Sequence, residues 1–493
     1  MILPKNTKEI IESYMIPRND RSASLDSMLL ALYMQVSRFL CWNRVKAYGE
    51  KGLEYPMLYG FNFAPSGAYK DEVLNSLTTV IADCLKQQKE LKLNRHVFLM
   101  KEYYKQLGEK KGTEKKDYAK DYKPQRFSNV FSSGSDVALQ KDRKACEVAE
   151  LGAIHFTQDE FIDYYSKKDS TSDSLFRMMK SIYSKGNSEP NKILGEWRES
   201  VVDTPITMLL YGSADTLHNE PIHLMKLRNI LETGIAKRAF VLYDNQTKRA
   251  QRTLDQEFDD ERLYTDSIPY IKDIFNKMFK AIKILDHETS YSLDYETQTI
   301  KVSKKVNEIR NTYKNKCYGQ LDIINNSIIK KDMQDRFWRA FRLSACIAVL
   351  EHPKDLTIKK EDYEFAIELT ERWGKQLKDF LEGEKKDSMD IIWDYIRDNP
   401  NCGKTQIRKV AKTKSPKEID QVIKNIQTMA DERGMILIEK KGSGLARYHS
   451  ILETSELPEH FDIISKGLEA RKEKELRSSF GDTVDEVKNL LNA

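Results

Sequence analysis

The chain has 493 residues, 40% of them hydrophobic and 32% charged, with a net charge of +5; this suits two to four globular domains and leaves nucleic-acid binding to be judged from where the charge lies. No apolar run is long enough to span a bilayer and residues 1–14 lack a signal-peptide core, so a cytoplasmic protein with no membrane contact is expected. Six scattered cysteines (Cys41, Cys84, Cys146, Cys317, Cys346, Cys402) form no C-x-x-C pair, which argues against a zinc site or disulfide framework and for reduced core thiols.

Residues Leu25–Trp42 repeat apolar side chains at helical spacing and predict an amphipathic or buried helix. Residues 55–63 read as a strand, followed by a Pro-Ser-Gly turn and a helix over 72–86. The lysine-rich stretch 101–125 has few aliphatics and reads as a solvated insertion or mobile loop. Short apolar runs at 152–156, 206–211 and Ala239–Tyr243, separated by helices, predict a buried parallel sheet. From 255 to 382 the pattern is helical, with its densest apolar face over 337–350. After a charged break at 385–387 come helices at Ser388–Asp398, 404–412 and 416–433. Strands at 435–439 and 446–450 follow, joined by a Lys-Lys-Gly-Ser-Gly turn. Three helices followed by a hairpin is a winged-helix pattern.

The turn at 64–71 runs Ala-Pro-Ser-Gly-Ala-Tyr-Lys-Asp. A phosphate loop, G-x-x-x-x-G-K-[ST], curls backbone amides around phosphate oxygens, reaches them with its lysine and offers magnesium a hydroxyl. Ser66, Gly67, Ala68, Tyr69, Lys70 and Asp71 are therefore the candidate nucleotide-binding residues. Gly67 and Lys70 are present; Tyr69 stands where the second glycine belongs and Asp71 where the hydroxyl belongs. The alternative is an ordinary strand–turn–helix. A hydrolytic site also needs acids on a neighbouring strand, one to hold Mg2+ through water and one to polarise the attacking water. Asp159 and Glu160 fit those roles, against the plainer reading of a surface acid pair. Ser213, at the end of 208–213, is placed to sense a terminal phosphate. Arg238, in the segment 234–240, is the candidate arginine finger, its planar fork suiting phosphate oxygens; a solvated basic turn reads equally well. Arg336, Arg339 and Arg342 share a helix face. Arg342 is the second candidate for a subunit boundary, against a solvated face with snorkelling stems.

Taken in order, these stretches resemble the phage- and plasmid-encoded primase/helicase-like replication ATPases. The matching residues are 62–67 through Lys70-Asp71, Asp159-Glu160-Phe161, MLLYGS at 208–213, GIAKRAF at 234–240 and Arg342-Leu343-Ser344-Ala345, over roughly residues 50–375. In that family the loop often ends Gly-Lys-Asp, which accommodates Asp71; Tyr69 departs from it by crowding the phosphate amides. The resemblance implies a RecA-like or AAA-like core, ATP with Mg2+, and a homo-oligomeric ring such as a hexamer. The ring would act on DNA in a bacterial host's cytoplasm, alongside other replication proteins.

The expected fold is thus α/β: a P-loop ATPase core of parallel strands flanked by helices at 49–254. An N-terminal helical segment (1–48) precedes it. A helical domain or lid (255–384), a winged-helix DNA-binding domain (385–451) and a charged tail (452–493) follow. Residues 403–449 carry eleven Lys/Arg against five acids, a net of +6, so positive charge concentrates there and forms an electrostatic footprint for a phosphate backbone. Lys417, Gln421 and Lys424 lie along the third helix, and Lys440, Lys441 and Arg447 flank the wing; protein packing is the other use of such a unit. The function expected is an ATP-driven DNA helicase or initiator motor. The alternative is a catalytically weak DNA-binding initiator or helicase loader in which Tyr69 has cost the loop its turnover.

Overall fold

The computed structural model describes residues 1–18, 23–49, 52–65, 72–121, 130–132, 135–148, 153–162, 169–183, 186–187, 191–193, 196–198, 200–219, 221–244, 252–282, 298–382, 388–411, 416–432, 435–441 and 447–453. The chain divides into two compact units, one of Met1–Asn219 with His223–Glu384 and one of Lys385–Ala493 with the short stretch Glu220–Ile222. The tail beyond residue 453 lies outside the described residues. Among the described residues no helix is long and apolar enough to cross a membrane.

The strands of the first unit are β1 (Lys46–Gly49), β2 (Gly52–Glu54), β3 (Tyr59–Ala64), β4 (Val130–Phe131), β5 (Ile154–Gln158), β6 (Asn191–Ile193), β7 (Glu196–Arg198), β8 (Ile206–Ser213), β9 (Ala239–Tyr243), β10 (Thr299–Val302) and β11 (Thr357–Ile358). Its main helices are α1 (Leu25–Trp42), α2 (Glu72–Val80), α3 (Ala82–Glu109), α4 (Asp136–Val148), α5 (Asp169–Ile182), α6 (Pro221–Glu232), α7 (Leu254–Ala281), α8 (Lys304–Gly319), α9 (Ser327–Gln334), α10 (Arg336–Glu351) and α11 (Lys360–Glu382).

Five strands form one parallel sheet in the order β4-β5-β8-β3-β9. β3 and β8 are buried along their whole length. Strands covered on both faces read as unbroken apolar runs, which is why these two stand out in the sequence. Tyr59, Phe61, Phe63, Met208 and Leu210 enter one core with α4, α5 and α6; Leu209, Tyr211, Phe240 and Leu242 enter the other with α1 and α2. β3 starts at Tyr59 rather than at residue 55. The Ser37 hydroxyl of α1 takes over the preceding backbone, donating to the Pro56 carbonyl at 2.7 Å and accepting the Leu58 N–H at 3.1 Å. The two-residue β4 carries too little pattern to be read from sequence. A separate mixed sheet, in the order β11-β10-β1-β2, joins chain segments 300 residues apart.

The lysine-rich stretch after residue 101 is not a loop where it is described. α3 runs unbroken to Glu109, and a further helix spans Gly112–Asp121. Lysine, glutamate and glutamine are good helix formers, so a polar composition does not by itself signal irregular chain. The Lys110 ammonium and Glu114 carboxylate, 2.6 Å apart at i, i+4, reinforce the junction.

α10 corrects a second expectation. Fourteen of its sixteen residues are buried, including Arg336, Arg339 and Arg342, so the arginine face is not solvated. Each guanidinium instead ties the helix to a neighbour. Arg336 Nε donates to Asp332 Oδ2 at 2.6 Å, and its Nη1 to Glu371 Oε2 of α11 at 2.7 Å. Arg339 donates to Asp332 Oδ1 at 2.5 Å and to the Ala239 carbonyl that opens β9. Arg342 donates to Glu54 Oε2 of β2 at 3.0 Å and to the Tyr183 carbonyl at 2.9 Å. The same apolar cluster draws on the N-terminal segment, on β8 and β9 and on α7, α10 and α11, so these segments share one core.

The second unit holds α12 (Ser388–Asp398), β12 (Cys402–Gly403), α13 (Lys404–Val410), α14 (Pro416–Glu432), β13 (Met435–Lys441) and β14 (Arg447–Glu453). Its three strands are antiparallel in the order β12-β14-β13 around a core that includes Trp393, Ile407, Ile426 and Ile451.

Asp332 is shared by two buried arginines, Arg336 and Arg339. Asp332→Ala is therefore expected to cost about 3 kcal/mol, because it strands buried cations. Denaturant midpoints check this; a change within about 0.5 kcal/mol refutes the shared-anion role.

Candidate functional site

β3 is followed by α2 on one face of the sheet, and β8 is followed by α6 on the other. Where neighbouring parallel strands send their connections to opposite faces, a crevice opens beyond their carboxyl ends, and ligands bind in it. In this sheet the crevice lies between β3 and β8, whose last residues, Ala64 and Ser213, are in register.

β5 ends beside it and turns through Asp159 and Glu160. Glu160 has φ +43°, a left-handed conformation costing about 1–2 kcal/mol for a residue with a Cβ. Its carboxylate crosses to β8, where Oε2 accepts the Ser213 N–H at 3.0 Å. The Glu160 N–H donates to Asp159 Oδ1 at 3.0 Å. Ser213 is buried, and its Oγ accepts the Thr216 N–H at 3.5 Å as the following helix begins. The structure thus brings Asp159, Glu160 and Ser213 to the carboxyl edge of the sheet, one strand from the end of β3. Ser66, Gly67, Ala68, Tyr69, Lys70 and Asp71 lie outside the described residues; Pro65 and Glu72 flank them. Among the described residues there is no cluster of three or more metal-ligating side chains. Asp159 and Glu160 together offer two carboxylates, a donor set that suits a magnesium ion retaining several waters. His155, earlier in β5, is no acid–base candidate. Burial holds its pKa well below the usual value, and its Nδ1 shares a 2.9 Å hydrogen bond with Thr207 Oγ1.

The same edge holds a group that the sequence did not disclose. Asp26, on the first turn of α1, is buried and accepts from Arg372 Nε at 2.9 Å, Trp373 Nε1 at 2.9 Å and Gln376 Nε2 at 2.6 Å, all on α11. Gln376 Oε1 in turn accepts the Tyr243 N–H at the end of β9, at 3.3 Å. Next to Asp26, the Ser27 hydroxyl donates to Asn62 Oδ1 of β3 at 3.1 Å. Arg372 is 44% exposed. It is the arginine that the helical segment sends to this edge. Asp26 and Arg372 are 346 residues apart in sequence, so no local pattern could pair them.

Arg238 and Arg342 stand at the opposite edge. Arg238 immediately precedes β9 and donates through Nη1 to the Gly234 carbonyl at 2.8 Å. Gly234, at φ +102°, makes the turn that only glycine enters without strain. Five residues of β9 separate this end from the carboxyl edge, about 16 Å. The Tyr183 ring is near both guanidiniums, its centroid 5.8 Å from Arg238 and 3.8 Å from Arg342. Arg342 is 3% exposed and paired with Glu54. An arginine acting on another subunit must reach the surface, so Arg342 is withdrawn from the site: it braces the fold.

In the second unit, α14 turns Ile419, Val422, Ile426 and Ala430 into the core and leaves Gln421 and Lys424 exposed. Gln421 Nε2 donates to Asn425 Oδ1 at 3.0 Å. Lys417 lies on the first turn of α14; Lys440 and Lys441 end β13, and Arg447 begins β14 opposite Lys441.

No family model and no curated protein matches the chain.

Gly212 lets the edge close: a Cβ there would stand 2.7 Å from the Phe63 ring. Gly212→Ala should destabilise by about 2 kcal/mol, as overpacking does, and Phe63→Leu in the same chain should recover most of the loss. Thermal melts of the single and double variants check this; an additive double variant counts against the contact.

Proposed function

We propose that the chain is an ATPase acting on DNA, with ATP and Mg2+ bound at the carboxyl edge between β3 and β8. The observation that carries this reading is the meeting of Glu160 and Ser213 across the strand ends, beside the segment with the phosphate-loop pattern. The strand order supports it, since it opens a crevice at that point. A side chain held at φ +43° supports it as well, because strain of this kind collects at working sites. Lys70 and the amides of Ser66 to Asp71 would hold the phosphates. Asp159 would hold Mg2+ through water, and the ion would neutralise charge developing on the transferred phosphoryl group. Glu160, released from Ser213, would orient the attacking water, and Ser213 would face the terminal phosphate. Arg372 takes the place given to Arg342, since it is the half-exposed arginine of the helical segment at this edge. Arg238 lies at the far edge, so it could reach only a nucleotide held by a neighbouring copy in a ring.

The second unit would grip DNA in the manner of a winged helix, with α14 in the major groove and the β13–β14 hairpin on the backbone. Three helices, a three-stranded antiparallel sheet and an exposed polar face at Gln421 and Lys424 support this. Tyr69 favours a second reading: a protein that binds nucleotide and DNA but hardly turns over, acting as an initiator or loader.

Phosphate release measured with and without single-stranded DNA separates the two. A motor gives DNA-stimulated release. That release should vanish in Lys70→Ala and fall at least about 100-fold in Glu160→Gln, which still binds nucleotide. Unchanged release in Lys70→Ala overturns the site; absent release with intact nucleotide binding in the parent chain selects the loader. For the DNA surface, Lys424→Gln should weaken binding on every sequence and reduce the slope of log affinity against log salt by about 1. An unchanged slope in a salt titration removes Lys424 from the phosphate contacts.

A further inference from the structure

Two helices of the first unit carry exposed apolar side chains within strongly charged surroundings, and their charges have opposite sign. The N-terminal half of α7, residues 254–266, holds six acids against one arginine; Asp260 is buried and paired with Arg252, so the exposed face carries a net of −4. Leu254 is 73% exposed and Phe258, one turn later, 69%. Both are large apolar groups left in water, although α7 buries its later residues, such as Ile271, Ile274 and Phe275, in the core. Thr253 fixes this half as helix with a full capping box alongside Gln256, so the exposed turn is built rather than frayed. Residues 86–111, most of α3 and the turn after it, hold eight Lys/Arg against three acids, a net of +5. Val97 (43% exposed) and Tyr104 (59% exposed) lie on one face of α3, with Lys101 and Lys105 beside them.

We propose that the occupant of each surface is the other surface on a second copy of this chain: the acidic, Phe258-bearing start of α7 docks on the basic, Tyr104-bearing face of α3. Charge selects this pairing over its symmetric alternatives. α7 against α7 would bring −4 to −4, and α3 against α3 would bring like cations together, each repulsive in a partly desolvated contact. Two unlike patches can pair reciprocally across a twofold axis or successively head to tail, and the head-to-tail series closes into a ring when the rotation permits. Apolar anchors ringed by complementary charge are also the anatomy expected of a specific interface. The interface stands apart from the nucleotide reading, because assembly and hydrolysis are measured separately.

The test is mass photometry or sedimentation velocity of the full chain over a range of concentration and salt. The parent chain is expected to assemble beyond the monomer and to dissociate as salt rises. Lys101→Glu with Lys105→Glu should weaken assembly at least tenfold, as should Glu257→Lys with Glu261→Lys. Mixing the two reversed chains should give assembly that neither supports alone, which also shows that both are folded. A parent chain that stays monomeric at all concentrations overturns the proposal, as does assembly unaffected by either reversal. The same holds if the α3 reversal lowers DNA affinity while leaving assembly intact, since the basic face would then belong to nucleic acid. Nucleotide hydrolysis absent from an assembled parent chain counts against the proposed function and leaves this interface standing.

Discussion

The first unit depends on a buried helix whose cations all point at something. α10 is covered on nearly every side, yet Arg336, Arg339 and Arg342 recur along it at every third position. A charge in a low-dielectric interior is tolerated only when it is paired with an opposite charge or hydrogen-bonded. Each arginine therefore demands a particular neighbour: Asp332 and Glu371 for the first, Asp332 and the opening carbonyl of β9 for the second, Glu54 and Tyr183 for the third. Apolar packing would bring the helical layer against the sheet in several registers at similar cost. The arginines leave one register, because a slip of one turn would strand buried cations. Burial alone would lower the Arg342 pKa; the Tyr183 and Glu54 contacts outweigh it and hold the group charged.

That anchoring fixes the amino edge of the sheet and leaves the carboxyl edge to be assembled from outside it. Asp26 does for the carboxyl edge what Asp332 does for the amino edge: one buried carboxylate gathers three donors of α11, and Gln376 passes the restraint to the end of β9. The two differ in solvent access. Arg339 is sealed, whereas Arg372 is half exposed. A guanidinium held through Nε by a buried acid keeps its fork directed and its terminal nitrogens available, which is the preorganisation that phosphate recognition uses. Glu160 shows the complementary device: its strained backbone aims a carboxylate at a neighbouring strand's amide.

The parts of this arrangement legible in the sequence were those set by local pattern. β9 and the two ends of the doubly buried β8 could be approached from runs of apolar residues, and Asp159, Glu160 and Ser213 from their position just after such runs. The misreadings share one cause. At i, i+3, i+6, the arginines of α10 look like a wet face because charge normally marks solvent; only the distant partners Glu54 and Glu371 reveal them as buried. Lysine content made α3 look like loop because composition reports solvation, and solvation is compatible with helix. Arg372 could not be picked out from the other arginines of the helical segment, because the residue that makes it special lies at the other end of the chain.

The two edges also divide the chemistry by sign. The carboxyl edge gathers carboxylates at Asp159 and Glu160 and holds an exposed cation, Arg372. The amino edge carries Arg238, half exposed over Tyr183, about 16 Å away along the strands. No rotation of a side chain spans that distance within one chain. If Arg238 meets a phosphate at the carboxyl edge, the phosphate belongs to another copy. A head-to-tail contact is the kind of assembly that can place one copy's amino edge beside the next copy's carboxyl edge, because it joins unlike surfaces. The charge asymmetry between α7 and α3 likewise calls for a contact between unlike surfaces. Neither observation depends on the other.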